Sequence, residues 1–348
     1  MTDDDLGDLR ATIGDFFARE AGPEAARQAE RDGLDPRLWS KIDDLGLPLI
    51  GIPEELGGSG GTLRQLLLTL QLSAGQAAPV PLMETALAAW VLAKVGGDLK
   101  APGPGAGVPG TRADTLRLDG DQVRGVARRV PWARNAERIV ALLPGDRHGA
   151  AKAVVLDARG ARIEAGADLA GLPCDTVTVD GPAVEIRAWP LDPESFRLRG
   201  GLLRAAQMAG ALEALLRITR SYVLQRHQFG RPIGEFQSVQ QHLVVIAQAA
   251  GLAASAVGQS ALDAEGGKAA FALAAAKLVV GQEAAKAVRA AHQAHGAIGL
   301  TREYDLQLLT RRLQAWRAEF GAEAELAATL GRDVQAAGTA IRLATDDR

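Results

Sequence analysis

GLLRAAQMAGALEALLRITRSYVLQRHQFGRPIGEFQSVQ (201–240) is the stretch on which the fold reading turns. From Gly201 to Arg226 it is rich in Ala and Leu and free of proline, which predicts a long helix. Arg226-His227-Gln228-Phe229-Gly230-Arg231-Pro232-Ile233 then interrupts it, because Gly and Pro hold a defined turn. Helical patterning resumes at 236–264 and recurs at 268–296 and 304–331. Four long helices with short joints predict an antiparallel bundle. Ala272, Ala275, Ala276 and Ala284 are small enough for close helix approach.

Upstream, residues 1–97 also read as helical. Leu6, Leu9, Ile13, Phe16 and Phe17 fall at helix spacing. Leu38, Trp39, Ile42 and Leu45 do the same after an Asp35-Pro36 start. A glycine-rich loop, 51–61, precedes a helix from Leu63 to Ala77, and after Pro79 and Pro81 a further helix runs from Leu82 to Val95. APGPGAGVPG (101–110) reads as a linker or long loop. Short β-like pieces follow, among them Thr115–Leu118, Ile139–Leu143, Ala153–Leu156 and Thr176–Val179. The class is therefore α+β, mostly α. An N-terminal helical domain (1–97), a small middle β domain (98–193) and a C-terminal helical bundle (194–348) are expected, with 340–348 frayed.

Composition narrows the function. The chain has 348 residues, 47% hydrophobic and 23% charged, which suits a globular protein. With Lys+Arg 39 and Asp+Glu 42 the net charge is -3, against a dedicated nucleic-acid binder. Cys174 is the single cysteine, so no intrachain disulfide forms. The acidic start is unlike a signal peptide, and no long uncharged apolar run marks a membrane span, so a cytoplasmic location is expected.

Three stretches carry chemistry. In 226–237 Arg226 suits a phosphate and Phe229 a planar ring, or the stretch is a helix C-terminus capped by glycine. His292 and His295 lie three apart at a helix end, where a hydrogen-bonding role outweighs a metal pair. The glycines after them expose backbone N–H groups to a diphosphate or ribose. In 311–325, Glu319, Glu323 or Glu325 would be a base if it lined a pocket, and a solvated charge if not.

Taken in order, GIPEELGGSGG (51–61), QAAPVPLMETALAA (76–89), RHQFGRPIGEFQSVQ (226–240) and HQAHGAIGLTREYDLQLLTRR (292–312) resemble the acyl-CoA dehydrogenase family. The resemblance implies a helical domain, a middle β-barrel-like domain and a C-terminal four-helix bundle. It also implies FAD, an acyl-CoA substrate, an electron-transfer acceptor, and a homo- or hetero-oligomer in which FAD bridges two subunits. Arg226, Gln228 and Phe229 would hold the diphosphate and adenine side, with Phe236 and Gln237 beside them. Gln293, Gly296 and Ala297 would contact the adenosine diphosphate from the other side of that interface.

The resemblance also marks departures. Family members place the base, usually Glu, directly before a glycine. Here Phe320 precedes Gly321 and the nearest acid is Glu319. The alternative base position falls at Gly200-Gly201, with no acid. Of the strand that holds the flavin ring, only Trp132 is a match. Two readings follow: a dehydrogenase using Glu319 as base, or a non-catalytic subunit that completes the FAD site of a partner chain. The sequence does not give the acyl chain; a shortened site and small helix residues leave room for a bulky or branched thioester, such as a ring-bearing one.

Overall fold

The computed structural model describes residues 3–99, 103–111, 113–144, 150–265 and 270–338. The expected frayed end, 340–348, lies outside them. The chain divides into two compact units, one formed by the segments up to Ala26, Leu67–Ala78 and Gly201 onward, the other by Arg27–Leu66 and Pro79–Gly200.

The first unit is helical. It contains α1 (Asp3–Glu20) and most of α4 (Leu63–Gly75); α2 (Pro23–Asp32) begins here. Its bulk comes from α6 (Glu194–Gln225) beyond Gly201, α7 (Gln237–Glu265), α8 (Ala270–His295), α9 (Leu306–Arg317) and α10 (Glu323–Ala337). α6 lies hard against α4: a Cβ on Gly210 would overlap the backbone carbonyl of Gln71. Only glycine permits that approach.

The expected fourth helix, 304–331, is two helices. The chain breaks at Phe320 (φ 54°) and Gly321 (φ 114°), both outside helical geometry. Ala-rich periodicity on both sides hid a corner that costs a non-glycine residue strain. α6 begins seven residues before the expected Gly201, at Glu194.

The second unit holds α3 (Pro36–Asp44), α5 (Leu82–Val95) and two four-stranded sheets. Asp35 caps α3, accepting from the Arg37 N–H at 2.8 Å, with proline at the first turn. Ahead of α4, Thr62 and Gln65 form a reciprocal cap: Thr62 N–H donates to Gln65 Oε1 and Gln65 N–H to Thr62 Oγ1. One sheet runs β1 (Gly105–Gly107), β4 (Arg138–Leu143), β5 (Lys152–Asp157), β8 (Glu185–Ala188). The other runs β2 (Arg117–Asp119), β3 (Gln122–Pro131), β7 (Cys174–Pro182), β6 (Arg162–Glu164). Val123, Ala127 and Val177 from one sheet and Ile139, Val154 and Leu156 from the other share one buried core.

Two strands correct the sequence reading. β1 lies inside the segment read as a linker and pairs parallel with β4. Its glycines answer to packing, since a Cβ on Gly105 would press Ala88 of α5 at 3.0 Å and one on Gly107 would press Phe196 at 3.2 Å. β3, the longest strand, was not among the expected pieces. Arg124, Arg128 and Arg129 face outward and mask its alternation, and a bulge between Ala127 and Val130 shifts the register.

Candidate functional site

The first predicted stretch forms a hairpin. α6 stops at Gln225, and β9 (His227–Gln228) pairs antiparallel with β10 (Arg231–Pro232). Phe229 (φ 55°) and Gly230 (φ 79°) are its two loop residues, the left-handed pair that a tight hairpin demands. Gly230 is thus a hairpin glycine and not a helix cap, which removes the capping alternative. The Ile233 N–H donates to Arg226 O at 2.8 Å and closes the loop.

Phe229 is 91% exposed, although such a ring is ordinarily placed out of water. Its ring meets Phe236 edge-on at 6.0 Å, and the Arg231 guanidinium stacks on Phe236 at 4.3 Å. Arg226, Gln228 and Gln237 are exposed beside it.

The second stretch lies at the same end of this helical unit. Tyr222, one turn before Arg226, stacks on His295 at 4.4 Å and its hydroxyl donates to His295 O at 3.3 Å. Tyr304 closes on both rings. His295 Nδ1 lies 2.8 Å from Ala291 O, and burial lowers the pKa of His295 and of His292. These histidines are parts of a packed helix end. Gln293, Gly296 and Ala297 face outward, and a Cβ on Gly296 would meet nothing within 4 Å. Gly299 is different: it is buried, and a Cβ there would press His295 and Leu306 at 2.9 and 3.0 Å. Only the first of the two glycines offers open backbone.

These groups fit a phosphate-bearing aromatic ligand. They include a guanidinium, three carboxamides, an outward ring and an uncovered glycine. All project from the surface. A cavity of about 320 Å³, with Arg217, Gln76, Ser221 and Asp305 among its lining residues, includes none of them.

Glu319 sits at the α9–α10 corner. Arg204 of α6 pairs with its Oε2 at 2.6 Å, with side chains 3% and 11% exposed respectively. Arg204 also donates to Gln207 and lies 5.3 Å over the Trp316 ring. Lys277 of α8 is buried beside them and donates to Arg317 O at 3.0 Å. Burial pushes its pKa down to about 8, while the Glu319 carboxylate opposes the shift. Arg317 grips Glu323 with two bonds, at 2.6 and 2.9 Å, which lowers the Glu323 pKa. Glu325 is exposed on α10. Phe320 is buried, and its carbonyl lies 3.6 Å from the Cβ position of Gly201.

Sequence reasoning missed Arg204 and Lys277. The signal was present: each is a lone cation in an apolar helical run, LLRAA and AAAKLVV. A helix apolar all round is buried, and a buried charge needs a partner.

In the other unit Trp132 (φ 57°) is 3% exposed and clusters with Ala170, Leu172 and Leu34. Next to it, the Arg134 N–H and guanidinium both bind Asp175, which is fully buried and also accepts from the Gly166 N–H at 3.0 Å.

The comparisons agree with this layout. The acyl-CoA dehydrogenase N-terminal domain matches residues 3–99, and the acyl-CoA dehydrogenase C-terminal domain matches 199–335. Acyl-CoA dehydrogenase FadE27 of Mycobacterium tuberculosis is 30% identical over 269 residues, 69% of each chain. Acyl-CoA dehydrogenase IpdE2 of the same organism is 27% identical over 311 residues, 87% of this chain and 89% of that one. Among solved structures, a Tcur3481-Tcur3483 steroid ACAD variant superposes with TM-score 0.87 at 24% identity, covering 96% of this chain and 98% of that one. The ChsE4-ChsE5 complex of M. tuberculosis gives 0.85 at 20% identity, over 96% and 98%. The fold and the two matched domains define a class of oxidoreductases acting on acyl-CoA thioesters. This chain belongs to the acyl-CoA dehydrogenase family.

Proposed function

We propose that the chain is the subunit of a heteromeric acyl-CoA dehydrogenase that helps hold FAD for a partner chain and contributes no catalytic base. The assembly desaturates an acyl-CoA thioester at its α,β bond and passes electrons to an electron-transfer acceptor. FAD, when bound, accepts the β-hydride. Arg226 neutralises diphosphate charge, Phe229 offers a face for stacking, and Gln228, Gln237 and Gln293 donate or accept at the ribose and adenine. Phe236 packs edge-on against Phe229, and the open backbone at Gly296, with Ala297 exposed beside it, lets the diphosphate come close.

The observation that carries this reading is the Arg204–Glu319 pair. A proton on Glu319 would discard the attraction that holds Arg204 in a nearly waterless site. The carboxylate is engaged by an arginine 2.6 Å away, whereas a general base has to be free to reach the proton it takes. Support also comes from the similar solved structures: ChsE4-ChsE5 and Tcur3481-Tcur3483 each pair two named chains, and the second is a steroid ACAD. A ring-bearing thioester is the substrate class we test first. The reading with Glu319 as base draws on its place two positions before Gly321, at a corner that keeps it 11% exposed.

The test is a visible spectrum of the chain purified alone with added FAD, followed by anaerobic addition of acyl-CoA thioesters. A colourless chain that turns yellow and bleaches only with its partner chain fits the proposal. A chain that holds FAD alone and is bleached by a thioester overturns it.

A further inference from the structure

Three rings tie the hairpin to the end of α8. Tyr222 lies one helical turn before Arg226, whose N–H donates to Tyr222 O at 2.9 Å. His295 lies between Gln293 and Gly296 in sequence. The Tyr222 and His295 rings are only 18° from parallel, and the Tyr222 hydroxyl also holds His295 O. Tyr304 is tilted against His295 at 5.2 Å and edge-on to Tyr222 at 5.7 Å. The placing of Arg226 relative to the open backbone at Gly296 therefore runs through this stack.

The hydrogen bonds of His295 fix where its proton sits. Nδ1 lies 2.8 Å from Ala291 O, and a carbonyl only accepts, so Nδ1 carries the hydrogen. Nε2 is then the bare nitrogen of the neutral ring. It is buried and has no hydrogen-bond partner among the described residues, in a side chain 4% exposed. A second proton would land on Nε2 and create a buried, charged donor with nothing to receive it. The Tyr222 face attracts a stacked cation. Yet the Nε2–H lies in the imidazole plane, where a parallel ring offers no acceptor.

The groups around His295 do not supply one. α6 brings Tyr222, and α8 brings His292, a like charge when protonated. The segment ahead of α9 brings Tyr304, with Asp305 acting on that phenol, and α9 brings the apolar Leu306, which meets Gly299 beside His295. Burial disfavours the charged ring most; the Ala291 bond favours it and His292 opposes it.

We propose that His295 is the positioning residue of this surface. As a neutral ring it holds the Arg226 hairpin in register with the open backbone at Gly296, and its protonation releases the adenosine diphosphate end of FAD. The inference rests on the proposed FAD role of that surface. His295 itself touches no ligand and acts through Tyr222 and Gly296.

Two measurements test it. NMR of the full-length chain, with isotope-labelled histidine and phenylalanine, follows the His295 ring and the Phe229 amide as the pH falls from about 7.5 to 5. The Phe229 amide is expected to shift with the midpoint of the His295 ring, and to lose that shift in His295→Phe. FAD retention by the assembly, read by absorbance after gel filtration, is expected to weaken at least tenfold below that midpoint. In His295→Phe, which stacks but does not titrate, retention should stay within threefold across the range. His295→Ala, which cannot stack, should lose FAD at every pH, and His292→Gln should keep the parent profile. The proposal is overturned if the Phe229 amide ignores the His295 midpoint, or if His295→Phe keeps the parent pH dependence. Arg226→Ala checks the FAD role by itself: unchanged retention in that variant removes the role, while the Phe229 shift still decides the coupling.

Discussion

Glu319→Gln separates a structural carboxylate from a catalytic one. In the structure Glu319 answers Arg204, whose side chain is 3% exposed. Removing the carboxylate charge leaves the guanidinium with Gln207 and the Trp316 face. Breaking a buried pair from one side costs about 3–5 kcal/mol. Glutamine keeps one hydrogen bond, worth about 1 kcal/mol. The net loss expected is therefore about 2–4 kcal/mol. Denaturant melts of the parent, Glu319→Gln, Arg204→Met and the double variant complete a cycle. The double variant should recover most of the loss, because no unpaired charge is left behind. Turnover of the assembled enzyme should stay within about twofold, once corrected for folded fraction. A thousandfold fall in turnover with an unchanged melt would refute the reasoning and make Glu319 the base.

Three other outcomes follow from single contacts. Gly210→Ala should cost about 2–4 kcal/mol, because its Cβ meets the Gln71 backbone, which cannot step aside, whereas Gly258→Ala on α7, where a Cβ meets nothing within 4 Å, should gain up to about 1 kcal/mol; thermal melts compare the two. Lys277, with its folded pKa lowered to about 8 from 10.5, is more protonated unfolded than folded between those values, so its contribution to stability rises with pH across that window and is a full penalty below it. Lys277→Met should flatten that rise in melts taken from pH 7 to 10.5. Phe229→Gly should relieve about 1 kcal/mol of left-handed strain, yet weaken FAD retention by the assembly at least tenfold, read by absorbance after gel filtration.

The helical blocks were legible because their signal is local. Asp35-Pro36 announces α3, and the Ala/Leu runs of α6 to α8 have no competing interpretation. The strands were legible where short apolar runs were bounded by turn residues, as in β4 and β5. β1 was not, because its two glycines answer to α5 and Phe196, which no local window contains. β3 was not, because arginines occupy its outward positions. The hairpin motif was visible as residues, but its geometry was not: Phe in a left-handed loop position runs against propensity and marks a place where stability gives way to display. The Glu319 environment was hidden for a different cause. Its partners come from residues 204 and 277, far away in sequence, and pairing is set by the helix packing.

Trp132 lets the two units be weighed separately. It is the one residue that matches a flavin-ring strand, yet it is 3% exposed and packs against Leu34, Ala170 and Leu172. Offering its face to a ring would return about 200 Å² of apolar surface to water, or about 5 kcal/mol at 25 cal/mol per Å². That is roughly a thousandfold or more in affinity. Arg134, two residues on, is held by Asp175 and has no donor left over from that pairing at its backbone N–H. Trp132→Ala should then destabilise the chain by about 3–5 kcal/mol as a core deletion. It should leave FAD retention by the assembly unchanged at temperatures where the variant is folded. Loss of FAD from a folded Trp132→Ala assembly, with little change in melting, would mean that the tryptophan faces a flavin ring in this chain, and that the chain owns a complete site of its own.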